Sequence, residues 1–307
     1  MVYYDILSLS SDAEELEQLG TKEKFWFTNA EDGSKYLFKV GRPNTGENWA
    51  EVVAAKMCEL LNIPHAEYSF AKWRGKDGVV TKTFVPADGR LVHGNEILAK
   101  IVDEYPEEGT YHVRKHTIRV VSAIMKSLPS LGLPIGSNGQ GVIQNPHDLF
   151  VGYIMLDAWI GNPDRHHENW GIVSIDEKIY LAPTYDHASG FGCRESDENK
   201  EKRLQTKDER YSVAHFVKKA QSPFYGTDNN TKPLSTYEAF YTIASTNKKA
   251  ALCWLDRLEN IQRKAIEDIF SSISPSLISG VSVEFAIKML EENSKRLLEL
   301  KKGFPNA

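Results

Sequence analysis

What this 307-residue chain lacks narrows the choice first. No apolar run reaches the roughly 18 residues that a membrane-spanning helix needs. The opening MVYYDILSLSSDAEELEQ is acidic and has no basic stretch followed by an apolar one, so no secretory signal is expected. Cysteine is scarce. Cys58, Cys193 and Cys253 are odd in number and show no metal-type spacing, and they read as reduced thiols of a cytoplasmic protein. There is no internal repeat and no Gly-x-Gly-x-x-Gly run. Positive charge is not in excess: 37 Lys and Arg stand against 42 Asp and Glu, a net charge of −5. That argues against broad binding to nucleic acid or an anionic membrane and leaves a local basic patch open. What remains is an ordinary globular composition, 41% hydrophobic and 26% charged, in a chain long enough for two lobes with a core each.

One stretch organises the rest. An apolar run over 150–160 ends at Gly161, Asn162 and Pro163, which break any helix. The polar loop Asp164-Arg165-His166-His167-Glu168-Asn169 follows. A strand over 170–175, a turn at Asp176-Glu177-Lys178 and a second strand over 179–182 lead to Tyr185 and Asp186. A turn centred on Glu177 and Lys178 sets Asn169 opposite Asp186, give or take a residue or two. An Asp, an Asn five residues on and a second Asp thus come together. They are oxygen donors without positive charge, the set that suits Mg²⁺ holding nucleotide phosphates. Protein kinases place the same three groups in the same way. Asp-x4-Asn alone is common and usually a solvated loop; the hairpin and the second Asp shift that balance.

The flanking sequence adds candidates. Ser11 and Glu14 have capping-box spacing, predicting a short helix over 12–19. Gly20 reads equally as its C-cap or as part of a phosphate-covering loop with Thr21 and Lys22, where Lys22 or Lys24 adds charge. Strands are expected over 25–28 and 36–40, with Lys39 inside the second. A helix over 49–62 buries Trp49, Val52, Val53 and Met57, while Glu51, Ala55 and Cys58 share a narrow face. Glu51 is the expected partner of Lys39, and Glu47, one turn earlier, is the runner-up. Strands over 67–73 and 79–85 turn at Gly75-Lys76-Asp77-Gly78, and Pro86 leaves the sheet. Further on, helices are expected over 113–128, 147–160 and 255–273, and over 283–302 with Ser282 as cap. The Gly-, Pro- and Asn-rich stretch 129–146 is long for a loop. The mixed-charge stretch 194–210 reads as an exposed loop.

Several segments together resemble the HipA-like kinases, a bacterial branch of the protein-kinase-like fold. GNPDRHHEN resembles their catalytic loop and LAPTYDHASGFG their metal-binding segment. FKVGRPNTGENWAEVVAAKMCELLNIPHAEY, TFVPADGRLVHGNEIL and the closing helical stretch also resemble this family, so the likeness covers nearly the whole chain. The resemblance implies an α+β, bilobal fold. An N-lobe over 1–88 would carry an antiparallel sheet with one helix, and a C-lobe over 89–307 would be mostly helical with a catalytic hairpin. It implies an ATP-dependent serine/threonine-protein kinase using Mg²⁺, with a protein substrate, capable of autophosphorylation and cytoplasmic. Asp164 would orient the acceptor hydroxyl and take its proton. Asn169 and Asp186 would hold metal, Lys39 the α and β phosphates, and Glu51 would position Lys39. The main chain of Thr83, Phe84 and Val85 would receive adenine. His166 and Tyr185 would line the nucleotide site, with Gly20, Thr21 and Lys22 over the phosphates. The toxins of this family silence themselves by phosphorylating their phosphate loop, and Thr21 is the nearest match. The long toxin's extra N-terminal subdomain and its Ser-Gly-Val-Gln loop are missing, which aligns the chain with short, single-unit members of the HipT/CtkA type. It leaves a toxin role and an antitoxin or other regulatory partner as open expectations.

Other classes remain compatible with the same residues. A small-molecule or lipid kinase would use the same parts, and a nucleotide-binding pseudokinase scaffold would keep the fold. A zinc hydrolase built on Asp164, His166, His167 and Glu168 is disfavoured, because adjacent histidines point apart and no HExxH helix is present.

Overall fold

The computed structural model describes residues 3–9, 15–16, 23–30, 32–106 and 109–304. Among them is a six-stranded sheet in the order β1-β5-β6-β4-β3-β2. Its strands are β1 (Ile6–Leu9), β2 (Glu15–Leu16), β3 (Lys24–Thr28), β4 (Lys35–Val40), β5 (Ser69–Trp73) and β6 (Lys76–Lys82). All neighbours are antiparallel except β1 and β5. Residues 15–16 are therefore strand, not helix as the capping-box spacing predicts, and the rest of that expected helix lies outside the described residues. The β5–β6 turn is Arg74-Gly75, not 75–78, because Trp73 pairs with Lys76. Both turn residues have positive φ, 47° and 80°, the backbone of a tight two-residue hairpin. Gly78 then lies inside β6 opposite Val40 and Ala71. A Cβ there would meet the Phe38 ring and the Lys39 carbonyl, so glycine keeps β6 close against β4.

Side chains alternate along β4 with period two. Phe38 joins Phe25, Phe27, Ala71 and Val80 on one face of the sheet. Leu37 and Lys39 face the other way, into a cleft. Across the sheet runs α1 (Glu47–Leu61), whose buried Trp49, Val52, Val53, Met57 and Leu61 join the main core. Asn62 ends it in the left-handed conformation.

A four-stranded sheet follows in the order β7-β9-β10-β8, formed by β7 (Arg90–His93), β8 (Leu131–Gly132), β9 (Gly171–Ile175) and β10 (Lys178–Leu181). Helices α2 (Gly94–Ile101), α3 (Ile118–Ser127) and α4 (Pro146–Ile160) precede its central hairpin. Helix α3 starts five residues later than the periodicity suggests, because the Thr117 side chain caps it by accepting from Val120 N at 3.2 Å. Every residue of α4 is buried, so it is the central pillar of the helical half.

The remaining helices are α5 (Asp197–Gln205), α6 (Val213–Val217), α7 (Thr236–Thr246), α8 (Lys248–Glu259), α9 (Arg263–Ser271) and α10 (Gly280–Gly303). Three expectations change here. Much of the charged stretch 194–210 is the helix α5, capped by Ser196 through Asn199 N, with Glu198 and Lys202 paired one turn apart and Lys200 buried. The helix expected over 255–273 is two helices broken at 260–262. The cap of α10 is Ser279 rather than Ser282, whose own N–H donates to Ser279 Oγ at 3.1 Å. No described helix is long and apolar enough to cross a membrane.

Candidate active site

Helix α4 delivers the loop. Gly161 caps it in the left-handed conformation at φ 65°, and Asn162 N returns to Asp157 O at 2.8 Å. The loop is then fastened from below by two residues to which sequence reasoning assigned no role. Arg165 is 1% exposed and grips Asp157 with two parallel bonds, Nε to Oδ2 and Nη2 to Oδ1, each 2.8 Å. Its Nη1 donates to the carbonyl oxygens of Asn169 at 2.8 Å and Tyr185 at 3.4 Å. One guanidinium thus ties the polar loop to the far end of the hairpin. Asn162 Nδ2 completes the Asp157 carboxylate at 2.8 Å. The signal was an acidic residue on the last turn of an apolar helix and an arginine just past its break. Nothing in the spacing says that they meet.

The hairpin register differs by two residues from the expected one. Lys178 pairs with Ile175, so the turn is Asp176-Glu177, both in left-handed φ (49° and 61°). Extending that register sets Asn169 opposite Thr184, with Asp186 two residues on. Asn169 is buried and its Nδ2 donates to Asp164 O at 2.6 Å, which leaves Oδ1 as the acceptor of that amide. Asp186 itself sits at φ 57°, a left-handed backbone that turns its carboxylate toward β4.

There it meets Lys39. The Nζ of Lys39 is 3.5 Å from Asp186 Oδ1, 3.3 Å from Tyr68 Oη and 5.2 Å from the Tyr68 ring centre. Burial alone would lower the Lys39 pKa, but Asp186, Tyr68 and Glu51 overcome it and hold the value well above that of a free lysine. The ammonium therefore stays charged in a nearly closed setting. Glu51 is 1% exposed and its Oε1 accepts from His187 N at 2.9 Å. It shares the electrostatic surroundings of Lys39 and reaches the segment after Asp186 as well. Glu47, the runner-up, is occupied elsewhere: it accepts from Arg42 Nη1 at 2.5 Å and Arg194 Nε at 3.1 Å.

Lys39, Asn169, Tyr185 and Asp186 line one cavity of about 850 Å³, and Thr83, Phe84 and Val85 form part of its wall. That volume suits a ligand of nucleotide size. The Tyr185 ring lies 5.6 Å from Phe84, and its Oη donates to Glu168 O at 2.8 Å beside His93. His166 is not in that wall. Its Nδ1 accepts from Glu168 N at 3.2 Å, and its ring faces Tyr111 at 5.3 Å. Burial lowers the His166 pKa against the pull of Asp164, Asp186 and Glu168, so it is neutral near pH 7. The His167 ring stands at 88° to it and takes a bond from Tyr105 at 2.6 Å, so the two histidines diverge as expected. Gly20, Thr21 and Lys22 lie outside the described residues.

Asp164 is outside the cavity lining, but its main-chain carbonyl accepts from the side chain of Asn169, which is part of it. Asp164 Oδ1 accepts from Tyr111 Oη at 2.7 Å and its Oδ2 from Ser189 Oγ at 3.0 Å. Ser189 in turn accepts from Arg194 Nη2 at 2.8 Å, and that guanidinium stands 4.0 Å from Asp164 Oδ2. The arrangement can deprotonate a hydroxyl at Asp164 while a cation, Lys39, sits at the cavity floor.

No protein-family profile matches the chain, and no curated protein matches it. Solved structures do. The chain superposes on the Helicobacter pylori proinflammatory kinase CtkA with a TM-score of 0.69 and 21% identity, over 98% of this chain and 96% of that one. It also superposes on a chain of the Shewanella oneidensis MR-1 toxin–antitoxin complex of HipA, HipB and operator DNA. There the TM-score is 0.57 and the identity 12%, over 96% of this chain and 67% of that one. The chain therefore has the α+β fold of the CtkA- and HipA-like kinases.

Proposed function

We propose that the chain is a cytoplasmic, ATP-dependent kinase that transfers the γ-phosphoryl group to a serine or threonine hydroxyl of a protein. One observation carries this reading: the Lys39–Asp186 ion pair lines a nucleotide-sized cavity together with Asn169, whose side chain donates to the carbonyl of Asp164. On this reading residues 1–88 form the nucleotide-binding lobe and 89–307 the catalytic lobe. The main chain at 83–85 receives adenine, and Lys39 holds the α and β phosphates. The oxygen donors Asn169 Oδ1 and the Asp186 carboxylate fit Mg²⁺ by their chemistry. Bound there, that ion would neutralise charge on the phosphates. Asp164 orients the acceptor and takes its proton, and Arg165 keeps the loop and Asp186 in fixed relation. Catalysis is positioning and charge stabilisation, with no covalent intermediate on the protein. The HipB of the Shewanella assembly suggests a regulatory protein partner here too.

The test is incubation of the purified chain with labelled ATP, Mg²⁺ and casein. Label on casein serine or threonine is expected. Label on small molecules or lipid alone, or nucleotide binding without any transfer, would overturn the assignment.

A further inference from the structure

A glutamate of α1 is the expected partner of Lys39, yet the ammonium is held elsewhere. It donates to Tyr68 Oη at 3.3 Å and pairs with Asp186 Oδ1 at 3.5 Å, and Glu51 acts on it more weakly than either. Tyr68 is buried and stands one residue before β5. Strand β6 lies between β5 and β4, so the phenol reaches over β6 to meet Lys39. Main-chain bonds fix its place against the hairpin. Thr184 N donates to Pro64 O at 3.0 Å, and Ala66 N donates to Thr184 O at 2.9 Å. They tie the approach to β5 to the approach to Asp186, and next to them Asp186 N donates to Tyr68 Oη at 3.4 Å. One phenol oxygen thus accepts from the lysine ammonium and from the main chain of the aspartate.

We propose that Tyr68 is a positioning residue of the nucleotide site, a post whose single oxygen sets Lys39 and Asp186 in fixed relation. This rests on the nucleotide site of the reading above. Burial and Glu51 raise the Tyr68 pKa against the pull of Lys39, so the phenol stays protonated and neutral. A neutral acceptor orients an ammonium without cancelling its charge, which stays available to phosphate; a carboxylate in the same place would compete with the phosphates for it. With Asp186 engaged by a ligand, Tyr68 is the hydrogen-bond partner left to Lys39 among the described residues. The bond to Asp186 N acts on the other half of the site. Asp186 has a left-handed backbone at φ 57°, a conformation that persists only where its surroundings hold it, and Tyr68 is one of the groups that do.

The experiment titrates ADP and adenosine into the full chain and into Tyr68→Phe by calorimetry, without and with Mg²⁺. Phenylalanine keeps the ring that faces Lys39 and removes only the oxygen. Metal-free ADP affinity should fall about 10-fold, the worth of one hydrogen bond to a charged group. Adenosine affinity should hold, because adenosine has no phosphate for Lys39 to bind. The ADP loss should vanish in a Lys39→Ala background, where the oxygen has no ammonium to place. Mg²⁺ should strengthen ADP binding less in Tyr68→Phe than in the unaltered chain, through the loosened main chain of Asp186. Equal losses for ADP and adenosine would mark a packing role and overturn the proposal. An unchanged ADP affinity, the same loss in the Lys39→Ala background, or an equal gain from Mg²⁺ in both proteins also overturns it. The expected pattern in a chain that labels no acceptor upholds the role of Tyr68 while the kinase reading fails. An unaltered chain that binds neither ligand ends both.

Discussion

Arg165→Met separates the loop clamp from the chemistry. Arginine is 1% exposed here, so methionine fills similar space without charge. The substitution removes both bonds to Asp157 and the bond to Asn169 O. It leaves a buried carboxylate with Asn162 Nδ2 as its remaining side-chain donor. Removing one partner of a buried pair costs about 3–5 kcal/mol. Orphaning the Asn169 carbonyl adds about 1–3 kcal/mol. Against a total stability of about 5–15 kcal/mol, that loss leaves the variant marginal. Adding Asp157→Leu removes the stranded charge, so the double variant should recover most of the loss and keep only the carbonyl cost. Urea unfolding followed by tryptophan fluorescence measures the first two quantities. Titration with an ATP analogue measures a third, because Arg165 also holds the main chain at Asn169 and Tyr185: analogue affinity should fall even at urea-free, fully folded conditions. A single variant that loses less than about 1 kcal/mol, or a double variant no better than the single, would refute the clamp.

Asp164→Asn should leave folding and ATP affinity nearly intact while phosphoryl transfer falls about 10²–10⁴-fold, the contribution of a positioned base; full transfer rates in a contaminant-free preparation would exclude the role. Asp186→Ala removes the 3.5 Å partner of Lys39 and a metal-type oxygen, so Mg²⁺-dependent analogue binding should fall more than it does in Asp164→Asn. Equal losses by calorimetric titration would contradict that division of labour. Acid should also unfold the chain early. Burial lowers the pKa of His116 and His187 well below 6.5 and that of His167 to about 4, so all three fold neutral and gain a proton on unfolding. Their contribution is complete above pH 6.5 and is lost as pH falls toward 4. A urea midpoint flat across that window would show that the buried imidazoles do not matter.

The site was legible in the sequence where chemistry is local. Asp164 and Asn169 sit five apart in a loop that glycine and proline announce, Lys39 is a cation between Phe38 and Val40 in an apolar strand, and the structure brings Lys39 and Asn169 to the lining of one cavity. The hairpin register was not legible. Asp176 and Glu177 take left-handed φ without being Gly or Asn, and the turn was placed one residue late. Tertiary juxtapositions left no local trace. Tyr111 lies 53 residues before Asp164, and Glu51 lies 136 before His187. Helix α7 was missed although Ser235 and Glu238 form a capping box that the sequence spells out. The break between α8 and α9 has neither Gly nor Pro to mark it, and packing decides it.

Helix α1 carries two carboxylates a single turn apart, and each takes hold of the same distant segment. Glu51 accepts from His187 N, and Glu47 from Arg194 Nε. Four residues rise about 6 Å along a helix, so the pair forms a two-pronged key whose prongs fit one lock over 187–194. A key of this kind has no half-turned position. Sliding or rolling α1 far enough to release one prong drags the other out of its seat, and the segment cannot swing away while either remains. The posture of the helix and the stretch behind Asp186 are therefore coupled through both carboxylates at once.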